Sequence, residues 1–211
     1  MWHAVGARIC GLLTYVALPC SRGTVMLADP DPQSSPVIDF NGLSDDRDRQ
    51  RLVHGARFSA KILLEELGPR VIADVFPARL SRRIEMLSRP NRMNAALATL
   101  GAALMDASPR ARSLIIRHVI THGETLADIL ADDRAADEFV ERFVGTSWHP
   151  CGTCRMGSPH DGGAVTDPRG AVIGTTNLFV GDASLMPRIT RTNTNLPTIM
   201  IAERMSEFIQ I

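Results

Sequence analysis

The sequence predicts an α/β (α+β) chain: a mainly antiparallel sheet accompanied by helices, followed by a C-terminal strand and helix. Three observations predict it. Two short β-type runs, residues 24–28 and 36–40, flank Asp29-Pro30-Asp31-Pro32 and Ser34-Ser35, a composition that turns the chain, so the pair reads as a hairpin. Leu52, Ala56, Ala60, Leu63 and Leu67 recur every three to four positions, the period of a helix with one wet face. Near the end, Leu178-Phe179-Val180 runs into the turn at Gly181-Asp182, and an apolar helix opens behind the polar stretch at 191–195.

Taken in order, residues 1–20 are an opening segment with an apolar run after Arg8. The run is too interrupted to be a bilayer span of about 20 apolar residues. Ala17-Leu18-Pro19-Cys20 also lacks a small-x-small cleavage site, so a buried strand or helix is expected rather than an export signal. Ser44 is placed to cap the helix that Gly68-Pro69 stops, and the charges at 45–51 read as its solvated first turn. A strand is expected at 71–76, an alanine-rich helix at 92–106, a strand carrying His118 at 114–120 and a loop at 123–127. His118 and His122 read as sheet or surface histidines, not catalysts. Asp132-Asp133 open a helix through Ala136, Val140 and Phe143 that delivers the chain to His149. In the last helix Ile199, Met200, Ile201, Met205, Phe208 and Ile209 are expected to form a buried face.

At 211 residues, 45% hydrophobic and 22% charged, the chain can bury one large or two small cores. Twenty-three basic residues balance twenty-three acidic ones, which removes the electrostatic case for nucleic acid or an anionic membrane and favours a small, neutral ligand. Four cysteines, at 10, 20, 151 and 154, form no disulfide framework, so the expected setting is reducing and cytoplasmic.

Chemistry concentrates in the run Ser147-Trp148-His149-Pro150-Cys151-Gly152-Thr153-Cys154-Arg155-Met156-Gly157. A His-Pro pair with a Gly-containing turn puts an ionisable imidazole at the mouth of a strand, beside a loop with room for a ligand. A second polar group, Asn195, stands just before a helix N-terminus. Oxidation of an alcohol needs a base for the hydroxyl proton and a hydrogen-bonding group to hold the same oxygen. A neutral imidazole and an uncharged amide suit those two tasks.

Four ordered blocks carry a resemblance. They are the His-Pro-x-Gly-Thr-Cys-Arg-Met-Gly run, Val165-Thr166-Asp167-Pro168, the Val180-Gly181-Asp182-Ala183-Ser184-x-Met186-Pro187 run, and Asn193-Thr194-Asn195-x-Pro197-Thr198 leading into Ile199-Met200-Ile201-Ala202-Glu203-Arg204. In order and spacing these are similar to the C-terminal portion of the glucose–methanol–choline (GMC) flavin-dependent oxidoreductases, over roughly residues 20–211. The resemblance implies a substrate-binding domain at 21–146 and, at 147–211, a C-terminal segment that completes an FAD-binding domain and carries the catalytic residues. It implies His149 as catalytic base and Asn195 as its partner in oxidising a small-molecule primary or secondary alcohol. It implies FAD contacts from Trp148, Asp182, Ala183, Asn195, Leu196, Pro197 and Thr198, with Asp182 and Ala183 towards the ribityl–pyrophosphate stretch and the others bordering the ring. Backbone amides at a turn and at a helix start suit such a ligand.

The Gly-x-Gly-x-x-Gly turn that grips the ADP half of FAD has no match in these residues. The expectation is therefore a C-terminal fragment, inactive by itself, that holds FAD only with a complementing N-terminal domain, including one on a separate chain. Two other readings stay open: a non-catalytic remnant or interaction module, and a redox or metal protein built on Cys151-Gly152-Thr153-Cys154. No metal ligand set is expected, since no second cysteine pair accompanies the first.

Overall fold

Helices supply most of the regular structure, and polar side chains at their first positions explain where they start. In the computed structural model residues 6–68, 72–77, 86, 89–121 and 125–209 are described. They fall into two compact units, Met1–Thr14 with Arg49–Val144, and Tyr15–Asp48 with Gly145–Ile211.

Helix α1 (Asp46–Lys61) is capped not by Ser44 but by Asp45, whose Oδ1 accepts the Arg47 amide at 3.0 Å. It continues as a π-helical turn at Ile62–Leu67. In the first unit, α2 (Arg92–Ala107) starts at Asn91, whose side chain accepts from the Asn94 amide. Helix α3 (Pro109–Ile115) has Ser108 as N-cap and a proline at its start, where a missing N–H costs nothing, and passes into a π-helical turn at Ile116–Ile120. The strand expected at 114–120 is therefore a helical continuation. Its β-branched residues favour strand locally, but the cap and the burial of Ile116 and Ile120 on Met105 override that preference. His118 is exposed on this turn, and His122 lies outside the described residues.

Part of the expected loop at 123–127 is helical: Thr125 and Asp128 form a reciprocal capping box for α4 (Leu126–Leu130). Helix α5 (Asp133–Phe143) opens on Asp132, as the sequence indicates. Residues 72–77 are not a strand; Asp74 there pairs with Arg112, and Val71 lies outside the described residues. Two apolar clusters form the core of this unit. Ala60, Leu126, Ile129 and Ala136 gather Val53, Leu63, Val75 and Phe139, while Met105, Ile116 and Ile120 gather Phe76 and Val119. The opening segment is neither strand nor buried over its described part: Leu12, Leu13 and Tyr15 are exposed.

In the second unit, β1 (Thr24–Met26) and β2 (Val37–Asp39) pair antiparallel with Val25 opposite Ile38, the expected hairpin. Among the described residues these two three-residue strands are the whole sheet, smaller than expected. The C-terminal strand expected near 178–180 is reduced to one bridge, Ala171 to Phe179, because Gly181 and Asp182 turn the chain immediately afterwards. Asp48 overturns the solvated reading of the first turn of α1. It is only 2% exposed, and its carboxylate accepts from the amides of Cys20 and Ser21 and from Ser21 Oγ at 2.7–3.0 Å. Helix α6 (Asn195–Ser206) packs on a 3-10 turn, Ala183–Leu185.

Candidate active site

Val144 ends α5 with extended backbone, and residues 144–147 carry no regular structure. His149 thus stands in a loop rather than at the mouth of a strand. Trp148, just before it, has φ +60, a left-handed conformation that a bulky residue rarely adopts, and its amide donates to Thr146 Oγ1 at 3.1 Å.

Downstream, alternate amides of the run at 152–156 are fixed to consecutive carbonyls of the 3-10 turn. Gly152 donates to Ala183 at 3.2 Å, Cys154 to Ser184 at 3.0 Å and Met156 to Leu185 at 2.9 Å. Two blocks about thirty residues apart in sequence are thereby joined. The turn is set by Asp182, whose Oδ1 accepts from Ser184 N at 2.8 Å and from Ser184 Oγ at 2.5 Å. Leu185 beneath it is fully buried, with Met186 nearly so. Thr166, also fully buried, donates its hydroxyl to the Cys154 carbonyl at 3.2 Å and backs the same run.

Arg155 clasps the following loop by a forked pair to Asp161, at 2.7 and 2.9 Å, and Gly163 N adds a third donor at 3.0 Å. The Arg155 hydrogen bonds, then the Gly163 amide, hold the Asp161 carboxyl down at about 2. A side chain at Gly163 would collide with this guanidinium, its Cβ falling 2.2 Å from Nη2.

His149 is half-buried, and its Nδ1 lies 3.3 Å from Thr194 Oγ1. Thr194 is the N-cap of α6 and the residue before Asn195, so the imidazole is held beside the backbone that carries Asn195. Among the described residues Nε2 has no hydrogen-bond partner, nor has the Asn195 side chain, which is exposed. The Thr194 carbonyl accepts both the amide of Thr198, at 2.8 Å, and its hydroxyl, at 2.6 Å. Pro197, half-buried, has no N–H to offer.

The apolar face expected to be buried on α6 is mostly open. Met205 is buried, but Ile199 is 51% and Met200 66% exposed, beside Leu196 at 75%; Trp148 is 76% exposed. A helix whose apolar residues are spread over more than one face does not disclose from its sequence which side is covered. Thr194, which touches His149, is the residue beside the candidate site that sequence reasoning missed. The signal available was a threonine at a helix start with proline three residues on.

Cys151 and Cys154 are both half-buried thiols; burial pushes the Cys151 thiol up against a smaller opposing pull from Arg22. Among the described residues no cluster of three or more His, Cys, Asp or Glu is arranged to hold a metal ion. Among the same residues no helix is long and apolar enough to cross a membrane.

Comparison with known proteins gives a consistent set of likenesses. The family model for GMC oxidoreductase, C-terminal portion, matches residues 19–202. The chain is 36% identical over 198 residues to a 5-(hydroxymethyl)furfural oxidase of Methylovorus sp. (strain MP688), covering 92% of this chain and 30% of that protein. It is 31% identical over 189 residues to an oxygen-dependent choline dehydrogenase of Brucella ovis, covering 90% of this chain and 26% of that protein. Among solved structures, pyridoxine 4-oxidase from Mesorbium loti superposes with a TM-score of 0.59 at 27% identity, covering 92% of this chain and 28% of the other. The chain thus spans between a quarter and a third of the length of these relatives.

Proposed function

The chain belongs to the GMC oxidoreductase family, and from that premise we propose that its residues 147–211 carry the catalytic side chains of an FAD-dependent alcohol oxidoreductase. In this reading residues 21–146 serve the substrate side. The ADP-gripping portion of the FAD site comes from outside these 211 residues, on the same polypeptide or a separate one. Members of the family are FAD-dependent oxidoreductases. The cytoplasm is the proposed setting, because Cys10, Cys20, Cys151 and Cys154 are all thiols.

The observation that carries the proposal is His149 tied through Nδ1 to Thr194, with Nε2 unpartnered among the described residues and Asn195 next in the chain after Thr194. His149 takes the hydroxyl proton of the alcohol at Nε2 while Asn195 holds the same oxygen, so that the C–H bond is directed away from both. When bound, FAD supplies the acceptor for the hydride that leaves the alcohol carbon. The residues present fit that group. Asn195 and Leu196 begin α6 with amides that have no intrahelical partner, and Trp148 and Leu196 offer exposed apolar area for a flat ring. Pro197 and Thr198 would continue that border, and the backbone of the turn at Asp182 and Ala183 would serve the phosphate-bearing side. The substrate class follows the relatives' names, since hydroxymethylfurfural, choline and pyridoxine are small molecules bearing alcohol groups.

A chimera tests this: residues 19–202 replace the corresponding C-terminal part of the 5-(hydroxymethyl)furfural oxidase. The expected product is yellow and reduces a dye in the presence of a primary alcohol. His149→Gln lowers kcat by about 10²–10⁴-fold without loss of flavin, the range for a positioned base. A yellow, folded chimera whose turnover ignores His149→Gln would remove the assignment.

A further inference from the structure

We propose that Thr194 is a positioning residue whose hydroxyl oxygen accepts the Nδ1–H of neutral His149, fixing the tautomer in which Nε2 is the bare nitrogen. This rests on the reading of His149 as the base and adds the group that makes it one.

The first support is a helix cap that is not used as a cap. A threonine at an N-cap ordinarily turns its hydroxyl onto the amide two or three residues ahead. Thr194 makes no such bond and has near-helical backbone, φ −75 and ψ −9. The amide three residues ahead does not exist, because that residue is Pro197. The hydroxyl is directed instead to His149 Nδ1 at 3.3 Å. Its surroundings leave it little latitude: Thr194 is 7% exposed, its β-branched side chain is stiff at χ1, and its carbonyl is pinned twice by Thr198.

The direction of the bond follows from the chemistry. Neutral imidazole carries one N–H, and a base at Nε2 requires that hydrogen on Nδ1. Once Nε2 has taken a proton from the alcohol, both ring nitrogens are donors. A hydroxyl oxygen that accepts from Nδ1–H serves the ring before and after that transfer with no rearrangement. Were the hydroxyl to donate to Nδ1, Nε2 would already hold the hydrogen and could accept nothing.

The test is the tautomer itself, read from ¹⁵N histidine shifts of the full 211-residue chain at a pH well above the imidazole range. Nδ1–H is expected in the unsubstituted chain and in Thr194→Ser, with a shift towards Nε2–H in Thr194→Val. Nε2–H in the unsubstituted chain, or Nδ1–H persisting in a folded Thr194→Val, overturns the proposal; the first measurement decides even where the valine variant does not fold. In the active chimera, Thr194→Val is expected to lower kcat about 10-fold or more with KM little changed. Thr194→Ser restores it, and Thr194→Val adds nothing on a His149→Gln background. An Nδ1–H tautomer in a chimera without alcohol turnover would leave Thr194 in its role and remove the redox reading. A His149-dependent chimera indifferent to Thr194→Val would do the reverse.

Discussion

Gly152 donates its amide to the Ala183 carbonyl across 3.2 Å while standing at φ +83, and a Cβ added to it would come 3.0 Å from the Met186 carbonyl. The residue joins the His149 loop to the Asp182 turn in a conformation that only glycine adopts without strain. Gly152→Ala is therefore expected to lower stability by about 1–3 kcal/mol. Urea denaturation followed by circular dichroism checks this, and an unchanged midpoint would mean that the loop and turn are not energetically joined here.

Asp48 supplies the second prediction. Burial pushes its carboxyl up, but the amides of Ser21 and Cys20 and the Ser21 hydroxyl outweigh burial, and the net position is below the ordinary 3.8. Folded Asp48 thus binds a proton less readily than unfolded Asp48. Its stabilisation is complete above the unfolded value and is lost as pH falls below 3.8 towards the folded one. Asp48→Asn, which turns a donor group onto donors, is expected to cost about 1–3 kcal/mol at pH 7. The gap between variant and parent in urea midpoint should narrow as pH falls from 5 to 3; a gap constant with pH would count against this account.

The contrast between Asp48 and the four motif blocks explains what the sequence discloses. The blocks themselves are legible, as a loop at 149–157 and a turn within 180–187, but their meeting is not: the backbone hydrogen bonds that join them, through residues 152–156 and 183–185, follow from no spacing rule. Helices with a strong composition or a polar starter are legible, as with the alanine-rich helix from Arg92 and the helix opened by Asp132. Which face of a helix finds a partner is not: Asp48 looks like one more charge in Asp46-Arg47-Asp48-Arg49, yet two amides of a distant segment bury it. The apolar residues of α6 look like core, yet Ile199 and Met200 are exposed. Residues 114–120 read as a strand because Ile and Val prefer one, and the Ser108 cap two turns earlier outweighs that local preference. Thr194 was passed over for a related reason, since a threonine before a helix is ordinarily explained by capping alone.

Arg155 and Asp161 give a prediction that needs no stability measurement. The Asp161 carboxyl is held at about 2, chiefly by the Arg155 fork. In Arg155→Met the Asp161 titration, followed by ¹³C carboxyl shifts, is expected to rise towards 3.8 while the Gly163 amide keeps part of the effect. For the parent, whatever the pair contributes is present above pH 3.8 and disappears as pH falls through about 2. An Asp161 that titrates identically in both proteins would show that the fork is not formed in solution.

Trp148 sets the last test, because its backbone and its side chain argue in opposite directions. A left-handed φ of +60 costs a side-chain-bearing residue about 1–2 kcal/mol, and with the residue 76% exposed little packing within the described residues offsets it. Trp148→Gly removes the strain but adds unfolded-state freedom worth about 0.4–1 kcal/mol, so the net change expected in the chain is within about 1 kcal/mol of zero, on the stabilising side. Leu185→Ala, at a fully buried position in the adjoining turn, is expected to cost about 2–5 kcal/mol in the same assay. In the chimera the order reverses for function: on the proposal that Trp148 borders the flavin ring, Trp148→Gly is expected to weaken flavin retention. Should Trp148→Gly destabilise the chain by more than about 2 kcal/mol, the ring is packed in solution and the strain has a structural cause instead.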